Sequence, residues 1–188
     1  MRTHLLTEQY FSTLSAQEST TYTAIREGLY SESFPVYTAW FDIHNPVGEI
    51  TIPHSEDGTG IAWAKTDELG EATAKTIVSY VRGSGDFPWL NKVVLLSGPR
   101  VLSLRETVDI LGRVTGKDVK IKEISADEYA ELPFKEKYWY RGVNLLKYYT
   151  SCWEAFRRGE AAVVSPLLGE ILGSEPEDFE TTVRGLLT

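Results

Sequence analysis

The chain has 188 residues, of which 42% are hydrophobic and 24% are charged, and its net charge is −8. This length and composition are typical of one globular domain, and the negative charge disfavours nonspecific nucleic-acid binding, which needs clustered Lys and Arg. A single cysteine, Cys152, excludes an intramolecular disulfide. No apolar run reaches the ~18 residues of a membrane span, and the N-terminal residues lack the apolar core of a signal peptide. We therefore predict a soluble, cytoplasmic protein.

The first part of the chain predicts a helix, a strand and an aromatic segment. An apolar residue at every fourth position from Leu6 to Leu14 predicts a helix over about residues 4–17. The β-type residues 22–25 predict a strand that the polar residues after it should end. Residues 33–43 are rich in aromatic side chains and should form a short helix or an ordered loop. Further strands are predicted at 50–52, 61–65, 93–96 and 120–124.

Capping signals predict where helices begin. A Ser or Thr before a helix accepts a hydrogen bond from its first free N–H groups, and a Glu three residues later completes a capping box. Such starts are expected at Thr66, at Ser103 with Glu106, at Ser125 with Glu128, at Ser165–Pro166 and at Ser174–Pro176. The helix over residues 67–82 connects strands 22–25 and 93–96, which we predict to be parallel neighbours joined by a right-handed crossover. The apolar character of 93–96 indicates a strand covered on both faces.

The residues from Arg26 to Ser31 are the first candidate for ligand binding. They follow a predicted strand, and ligands of open α/β sheets gather at the carboxyl ends of strands. Gly28 has no Cβ, so its backbone can turn sharply or lie against a ligand. An ordinary exit from strand to loop explains the same local pattern, so both interpretations stay open.

The second candidate is the aromatic segment at residues 133–159, which should be helical or loop-like. Its rings would form part of the core or, alternatively, a pocket for a flat apolar ligand. Cys152 lies in this segment, where a buried and unreactive thiol is expected. The three His residues are scattered and there is no Cys pair, so we predict no metal site. No residue pattern assigns a catalytic group.

Taken in order, these motifs resemble the C-terminal half of NmrA-like proteins. These are atypical short-chain dehydrogenases/reductases, and they include NAD(P)H-dependent quinone oxidoreductases. Residues 4–8 are similar to the family's H-x-x-T-E helix, and residues 22–30 resemble its strand followed by R-N-G-W/F-Y. Residues 57–67 are similar to the segment before the next helix, and residues 92–129 match the strand–helix–strand–helix order that follows. The resemblance implies an α/β fold in which residues 1–188 form the C-terminal portion of a Rossmann-like fold, without its N-terminal βαβ phosphate-binding half.

Two departures from the family pattern bear on cofactor binding. Glu27 stands where the family has an amide, which places a negative charge where a cofactor would lie. The family's phosphate loop, and the residues that choose NAD or NADP, would precede Met1. No Tyr-x-x-x-Lys pair occurs, so the superfamily's usual proton-transfer machinery cannot be assigned. The resemblance therefore implies a truncated chain that binds a dinucleotide poorly by itself.

The function implied by the resemblance is that of an NAD(P)-linked oxidoreductase acting on a quinone or another conjugated carbonyl in specialised, or secondary, metabolism. The cofactor would lie against Arg26, Glu27, Gly28, Leu29, Tyr30 and Ser31. The substrate would contact Tyr37, Trp40, Tyr138 and Trp139. The alternatives are a non-catalytic NmrA-like regulatory or partner-binding protein and an inactive truncated product. Because the family's other half would cover one strand edge, self-association or a partner chain at that edge is also expected.

Overall fold

The computed structural model describes residues 2–18, 20–83, 87–133 and 135–188. Within these ranges the chain forms α-helices, short β-strands and two 3₁₀ helices, at Ser31–Ser33 and Lys135–Tyr138, and the predicted α/β class is confirmed. The α-helices are α1 Arg2–Gln17, α2 Phe34–Tyr37, α3 Thr66–Arg82, α4 Leu104–Thr115, α5 Ala126–Ala130, α6 Leu145–Arg157, α7 Leu167–Leu172 and α8 Phe179–Gly185. The strands are β1 Thr23–Glu27, β2 Glu49–Ile52, β3 Lys92–Leu96, β4 Lys120–Glu123, β5 Trp139–Tyr140 and β6 Val143–Asn144. In the described part of the chain, no helix combines the length and the apolar character needed to cross a bilayer.

β1 and β3 are adjacent and parallel, as predicted. Their register pairs Thr23 with Lys92 at one end and Glu27 with Leu96 at the other. The polar residues after Ile25 do not end β1, because the backbone of β3 runs alongside and provides hydrogen-bond partners as far as Glu27.

The two faces of this sheet are covered differently. Successive strand residues point to opposite faces, and Ile25 and Leu96 share the face on which α3 and α7 pack. Val93 points to the other face and remains 43% exposed. The prediction that 93–96 is covered on both faces is therefore wrong at Val93, because α3 and α7 both lie on the side of Ile25.

A second parallel pair borders the main hydrophobic core, to which β2 contributes Ile50 and Ile52. β2 pairs with β4 from Glu49 beside Lys120 to Ile52 beside Glu123, so both predicted strands are confirmed. Ile52 is completely buried. The core around it includes the aromatic residues Phe34, Phe41, Trp63, Tyr129, Trp153, Phe156 and Phe179.

Residues 61–65 do not form the predicted strand. The N–H of Ile61 donates to the carbonyl of Leu102, whereas the N–H of Ala64 donates to the carbonyl of Leu29. Because different segments of the chain receive these hydrogen bonds, only isolated bridges form. The stretch instead joins the end of β1 to the loop before α4.

Two capping boxes begin helices as predicted. The Oγ of Ser103 accepts a hydrogen bond from the Glu106 N–H at 3.1 Å, and the Glu106 carboxylate accepts one from the Ser103 N–H at 2.7 Å. Ser125 and Glu128 form the same reciprocal pair before α5. Gly116 ends α4 in the left-handed conformation, with a φ of 67°.

α3 begins at Thr66 as predicted, but the predicted cap is wrong, and so is the predicted helix start at Ser174–Pro176. Thr66 is the first residue of α3, and its N–H and Oγ1 donate to the carboxylate of Glu32 at 3.1 and 2.7 Å. Ser174–Pro176 does not begin α8, because Asp178 is its N-cap and accepts the Thr181 N–H at 2.9 Å. A carboxylate accepts these N–H groups in both helices and also suits the positive end of the helix dipole.

A β-hairpin precedes α6, where the sequence indicated only helix or loop. β5 and β6 are antiparallel, and Arg141 and Gly142 form the turn between them with φ values of 49° and 79°. Two consecutive residues at positive φ are typical of a tight hairpin turn. α7 begins directly after Ser165–Pro166, as predicted.

α1 and α3 carry large apolar side chains on the surface. Leu6 and Tyr10 of α1 are 53% and 62% exposed, and Ile77 and Val81 of α3 are 57% and 75% exposed. Among the described residues, β1 pairs only with β3, so its other edge has no strand partner. Exposed apolar side chains and an unpaired strand edge are surfaces on which another chain can pack.

The close contact at Gly98 gives a prediction about stability. An added Cβ would overlap the carbonyl oxygen of Trp63, so we expect Gly98→Ala to lower the free energy of unfolding by about 3 kcal/mol. In Gly70→Ala, the matched control within α3, the new Cβ meets nothing within 4 Å, so that variant should gain about 0.5–1 kcal/mol. Chemical denaturation measures both changes. Equal effects would mean that the Gly98 contact does not constrain the fold.

The exposed apolar surface gives a prediction about association. We expect the purified chain to self-associate or to unfold with less than ~5 kcal/mol, the low end for intact domains. Light scattering should then show smaller particles for Leu6→Gln combined with Tyr10→Gln than for Val163→Gln, a change at another exposed apolar residue. A monodisperse monomer with a cooperative transition above ~5 kcal/mol would contradict this expectation.

Candidate functional site

The carboxyl ends of β1 and β3 are held in direct backbone contact by Gly28. Its N–H donates to the carbonyl of Leu96 at 2.7 Å. A Cβ at this position would lie 3.2 Å from both the Leu96 carbonyl oxygen and the Ser97 Cα. The glycine is therefore explained by the approach of the two strand ends, which is tighter than most side chains tolerate.

Arg26, the first predicted cofactor residue, holds α1 against the sheet. Its guanidinium donates two hydrogen bonds to the Glu8 carboxylate, both 2.6 Å long. This contact lowers the pKa of Glu8 and raises the pKa of Arg26. The two-point geometry fixes the guanidinium on α1 and uses two of its five N–H donors within the chain.

Glu27 and Tyr30 form a polar pair at the end of β1. The Tyr30 hydroxyl donates to Oε2 of Glu27 at 2.7 Å, and this hydrogen bond raises the pKa of Tyr30. The Thr73 hydroxyl of α3 donates to the other carboxylate oxygen at 3.4 Å. The carboxylate is thus oriented by two hydroxyl groups, and Tyr30 is held in its protonated form.

After the end of β1, the backbone groups of Leu29 and Ser31 pair with the backbone of Ala64. The Leu29 carbonyl accepts from the Ala64 N–H at 2.9 Å, and the Ser31 N–H donates to the Ala64 carbonyl at 2.8 Å. Ser31 is completely buried, and its Oγ has no hydrogen-bond partner in the described part of the chain. The six predicted cofactor residues therefore lie together at one sheet end, apart from the Arg26 side chain, which is bound to α1.

Two of the four predicted substrate residues stack on each other. The rings of Trp40 and Tyr138 are 4.3 Å apart and nearly parallel, with an interplanar angle of 16°. Tyr149 of α6 meets the Trp40 ring edge-on at 5.9 Å. Ala39 and Trp40 both have positive φ, 53° and 62°, a conformation that residues with a Cβ rarely adopt.

The other two predicted substrate residues lie in different surroundings. Tyr37 packs against Trp63 and Phe156, with ring centroids 5.9 and 5.4 Å apart, and burial raises its pKa to about 12. Trp139 lies on the hairpin and is 48% exposed. The structure therefore joins Trp40 to Tyr138, turns Tyr37 towards the core and leaves Trp139 at the surface.

Tyr129 is a member of this aromatic group that the sequence did not indicate. It is completely buried, and its hydroxyl has no hydrogen-bond partner among the described residues. Burial raises its pKa to about 12, with smaller contributions from Tyr138 and Tyr149. The capping box before α5 indicated that Tyr129 is helical, but no local pattern indicates which residues its ring meets.

The helix starts are poorly suited to a dinucleotide pyrophosphate. A phosphate binds at a helix N-terminus through free N–H groups and the helix dipole. At four helices those groups already face a carboxylate of the chain itself: Glu32 at α3, Glu106 at α4, Glu128 at α5 and Asp178 at α8. A carboxylate at a helix start opposes the approach of a phosphate to those N–H groups. Within the described ranges, no three His, Cys, Asp or Glu residues are grouped as metal ligands would be.

Two curated proteins match along most of the chain, although no protein-family model does. The chain is 30% identical, over 186 residues and 99% of its length, to the NmrA-like family domain-containing oxidoreductase flvB of Aspergillus flavus, and covers 55% of that protein. It is 22% identical over 162 residues to prestalk A differentiation protein A of Dictyostelium discoideum, of which it covers 48%. The chain thus spans about half the length of the curated relatives it matches.

Solved structures share the fold. One is the NADPH-dependent quinone oxidoreductase QOR2 from Escherichia coli in complex with NADPH. The match covers 94% of this chain and 57% of the QOR2 chain, at 22% identity and a TM-score of 0.72. Another is the triphenylmethane reductase of Citrobacter sp. That match covers 88% of this chain and 53% of the reductase chain, at 21% identity and a TM-score of 0.66. The architecture is therefore part of a Rossmann-like α/β fold. The chain is a homologue of an NmrA-like oxidoreductase along nearly its whole length, which confirms the predicted resemblance.

The two buried phenols give a prediction about alkaline pH. The pKa values of Tyr37 and Tyr129 are raised to about 12 from 10. Their contribution to stability is therefore complete below pH 10 and is lost as the pH rises from 10 to 12. Denaturation at several pH values should show a weaker decline for Tyr129→Phe than for Tyr148→Phe, a change at an exposed tyrosine of α6. The same decline in both variants would contradict the burial of the Tyr129 hydroxyl.

Proposed function

We propose that this chain forms the substrate side and the nicotinamide side of an NAD(P)-linked oxidoreductase. The observation that carries the proposal is the identity of 30% to an NmrA-like oxidoreductase over 99% of the chain. The proposal treats residues 1–188 as one region, equivalent to the C-terminal part of the relatives. The solved structure with NADPH, which shares the fold, adds NADP(H) as a cofactor class to test.

In this proposal the nicotinamide lies at the carboxyl end of β1, against residues 26–31. Gly28 keeps the backbone flat there, and the carboxylate of Glu27, oriented by Tyr30, faces the ring. A nicotinamide cofactor supplies the hydride when bound, and the protein contributes position and polarity. The carboxylate favours the positively charged oxidised ring over the neutral reduced ring.

The same proposal assigns the binding of the pyrophosphate to residues outside this chain. Support comes from the carboxylates at the starts of α3, α4, α5 and α8, which would repel a phosphate. The relatives, of which this chain covers about half, have the length to hold such a site.

The proposed substrate is a quinone or another conjugated carbonyl compound, with a role in specialised metabolism. A flat conjugated ring suits the parallel aromatic faces of Trp40 and Tyr138. Tyr37, on the core side, and Trp139, at the surface, complete this proposed substrate side.

A non-catalytic regulatory or partner-binding role is the second candidate. It is favoured by the two hydrogen bonds that tie Arg26 to Glu8, because they remove a cationic donor from the proposed cofactor side. It is also favoured by the exposed apolar residues of α1 and α3, which suit a protein partner.

Calorimetric titration with a complete dinucleotide and with its nicotinamide mononucleotide half tests the oxidoreductase proposal. We expect NADPH and reduced nicotinamide mononucleotide to bind with similar dissociation constants, both well above ~1 µM, since the adenosine and pyrophosphate would meet no dedicated site. A dissociation constant for NADPH near or below ~1 µM would mean that the phosphate site lies within this chain. Failure of both ligands to bind would favour the non-catalytic role.

A charge variant tests the placement of the nicotinamide. Glu27→Gln should weaken the oxidised mononucleotide relative to the reduced one by roughly threefold, because the carboxylate interacts with a ring charge present only in the oxidised form. Glu123→Gln, on exposed β4, is the matched control and should leave the ratio unchanged. Identical ratios in both variants would contradict the proposed position.

A further inference from the structure

The hairpin of β5 and β6 is anchored at its base and open at its tip. At the base, the Asn144 side chain accepts the Leu146 N–H at 3.0 Å and donates to the carbonyl of Ala130 at 2.9 Å. At the tip, a Cβ added to Gly142 would meet nothing within 4 Å. The hairpin therefore projects from the junction of α5 and α6.

Large side chains are exposed on both faces of this hairpin. Tyr140 is paired with Val143 in the register, so these two side chains share one face, and they are 59% and 37% exposed. Trp139 lies on the opposite face and is 48% exposed. An element packed under either face would bury the residues that point to it. In the described part of the chain, neither face of the hairpin is therefore fully covered.

Three exposed cations lie on the hairpin and on the elements that flank it. Lys137 lies in the 3₁₀ helix before β5, Arg141 lies in the turn, and Lys147 lies in the first turn of α6. The 3₁₀ helix also packs against β6 and α6. Within the described ranges none of the three cations forms an ion pair. Residues 137–153 contain no Asp or Glu, although the whole chain has 27 acidic and 19 basic residues.

The Arg141 side chain lies beside an aromatic ring. Its Cζ is 5.3 Å from the centroid of the Tyr140 ring. An aromatic face attracts a guanidinium but does not use its N–H donors as a carboxylate would. An aromatic ring and a cation that can still bind an anion are therefore together at the end of the hairpin.

We propose that this hairpin docks the protein on an anionic lipid surface. Trp and Tyr side chains concentrate at the boundary between lipid tails and headgroups, because each has an apolar body and a polar group that can be hydrogen-bonded. Lys and Arg side chains reach from there to the charged groups of anionic headgroups. The hairpin presents both kinds of side chain on a projecting element, which can enter the headgroup layer while α5 and α6 stay in place.

The shape of the hairpin favours lipid over nucleic acid as the partner. Single-stranded nucleic acids are bound in positively charged grooves, whereas these cations lie on and beside a projecting element. The net charge of −8 opposes the approach of the other surfaces to an anionic membrane. Binding should therefore be reversible and limited to the hairpin, and it should weaken with salt, because charges are screened beyond a Debye length of ~8 Å.

Docking would bring part of the proposed substrate side close to lipid. Tyr138 directly precedes β5, and its ring stacks on Trp40 at 4.3 Å. Apolar conjugated carbonyl compounds partition from water into lipid, so a docked chain would meet them there. This consequence rests on the proposed function, whereas the docking itself does not.

Liposome flotation of the purified chain tests the docking, because protein aggregates sink and only lipid-bound protein rises. The probes are vesicles of phosphatidylcholine alone and vesicles of phosphatidylcholine and phosphatidylserine in equal amounts. We expect the chain to bind the mixed vesicles on the order of tenfold more tightly and to be released at ~1 M salt. No flotation with the mixed vesicles, or equal flotation with both kinds, would overturn the proposal whatever the result with nicotinamide.

Two matched charge variants locate the surface. The combination of Lys137→Gln, Arg141→Gln and Lys147→Gln should weaken binding to the mixed vesicles on the order of tenfold or more. The control makes the same charge change at three other exposed lysines, on and just before β4, and should leave binding nearly unchanged: Lys117→Gln, Lys120→Gln and Lys122→Gln. Equal losses in both variants would assign the effect to net charge and overturn the role of the hairpin.

An apolar variant tests whether the hairpin enters the lipid. Tyr140→Gln combined with Val143→Gln should weaken vesicle binding roughly threefold or more without a change in the unfolding temperature, because these side chains face solvent in the free chain. Leu6→Gln combined with Tyr10→Gln, on α1, is the control and should bind as the unchanged chain does. Unchanged binding of the hairpin variant would contradict insertion. Binding of single-stranded DNA without any flotation would assign the cations to nucleic acid and overturn the proposal.

Discussion

The parallel pairing of β1 with β3 is the constraint on which the rest of this structure depends. Gly28 at the end of β1 and Gly98 just beyond β3 allow the backbone of residues 62–64 to lie against both strand ends. A side chain at either glycine would separate these segments. The same contact brings residues 26–31 to one sheet end, so the backbone packing and the candidate cofactor side have a common origin.

An acidic chain uses its own carboxylates to complete its helices. Glu32, Glu106, Glu128 and Asp178 each accept hydrogen bonds at a helix start. Each stabilises the local fold, because it satisfies N–H groups that would otherwise be unpaired and opposes the helix dipole. The consequence is that these positive helix ends do not attract a phosphate. The same residues therefore stabilise the helices locally and make their N-termini unsuited to a phosphate.

The aromatic region combines core packing with unpaired polar groups. Tyr37 and Trp153 pack as ordinary core residues, whereas Trp40 and Tyr129 each bury a polar atom without a partner in the described part of the chain. Aromatic residues with polar edges can fill a core and also recognise a ligand. Tyr37 and Trp153 match the core interpretation of this region, and a pocket for a flat ligand remains a prediction.

The sequence by itself determined the features that depend on neighbours a few positions apart. The apolar period of α1, the capping boxes of α4 and α5 and the strand character of β2 and β4 are local patterns, and each predicted its element. The contiguous residues from Arg26 to Ser31 could likewise be placed at a strand end, because they directly follow the strand predicted at 22–25.

The tertiary structure alone decided the contacts between distant segments. Glu32 lies 34 positions from Thr66 and replaces it as the cap of α3, and the hydrogen bonds of residues 61–65 go to several distant segments instead of a strand. Glu8 turns the Arg26 side chain towards α1, and the packing of α5 against α6 accompanies the complete burial of Tyr129. Such partners satisfy buried or charged groups through space, and no periodicity along the chain records them.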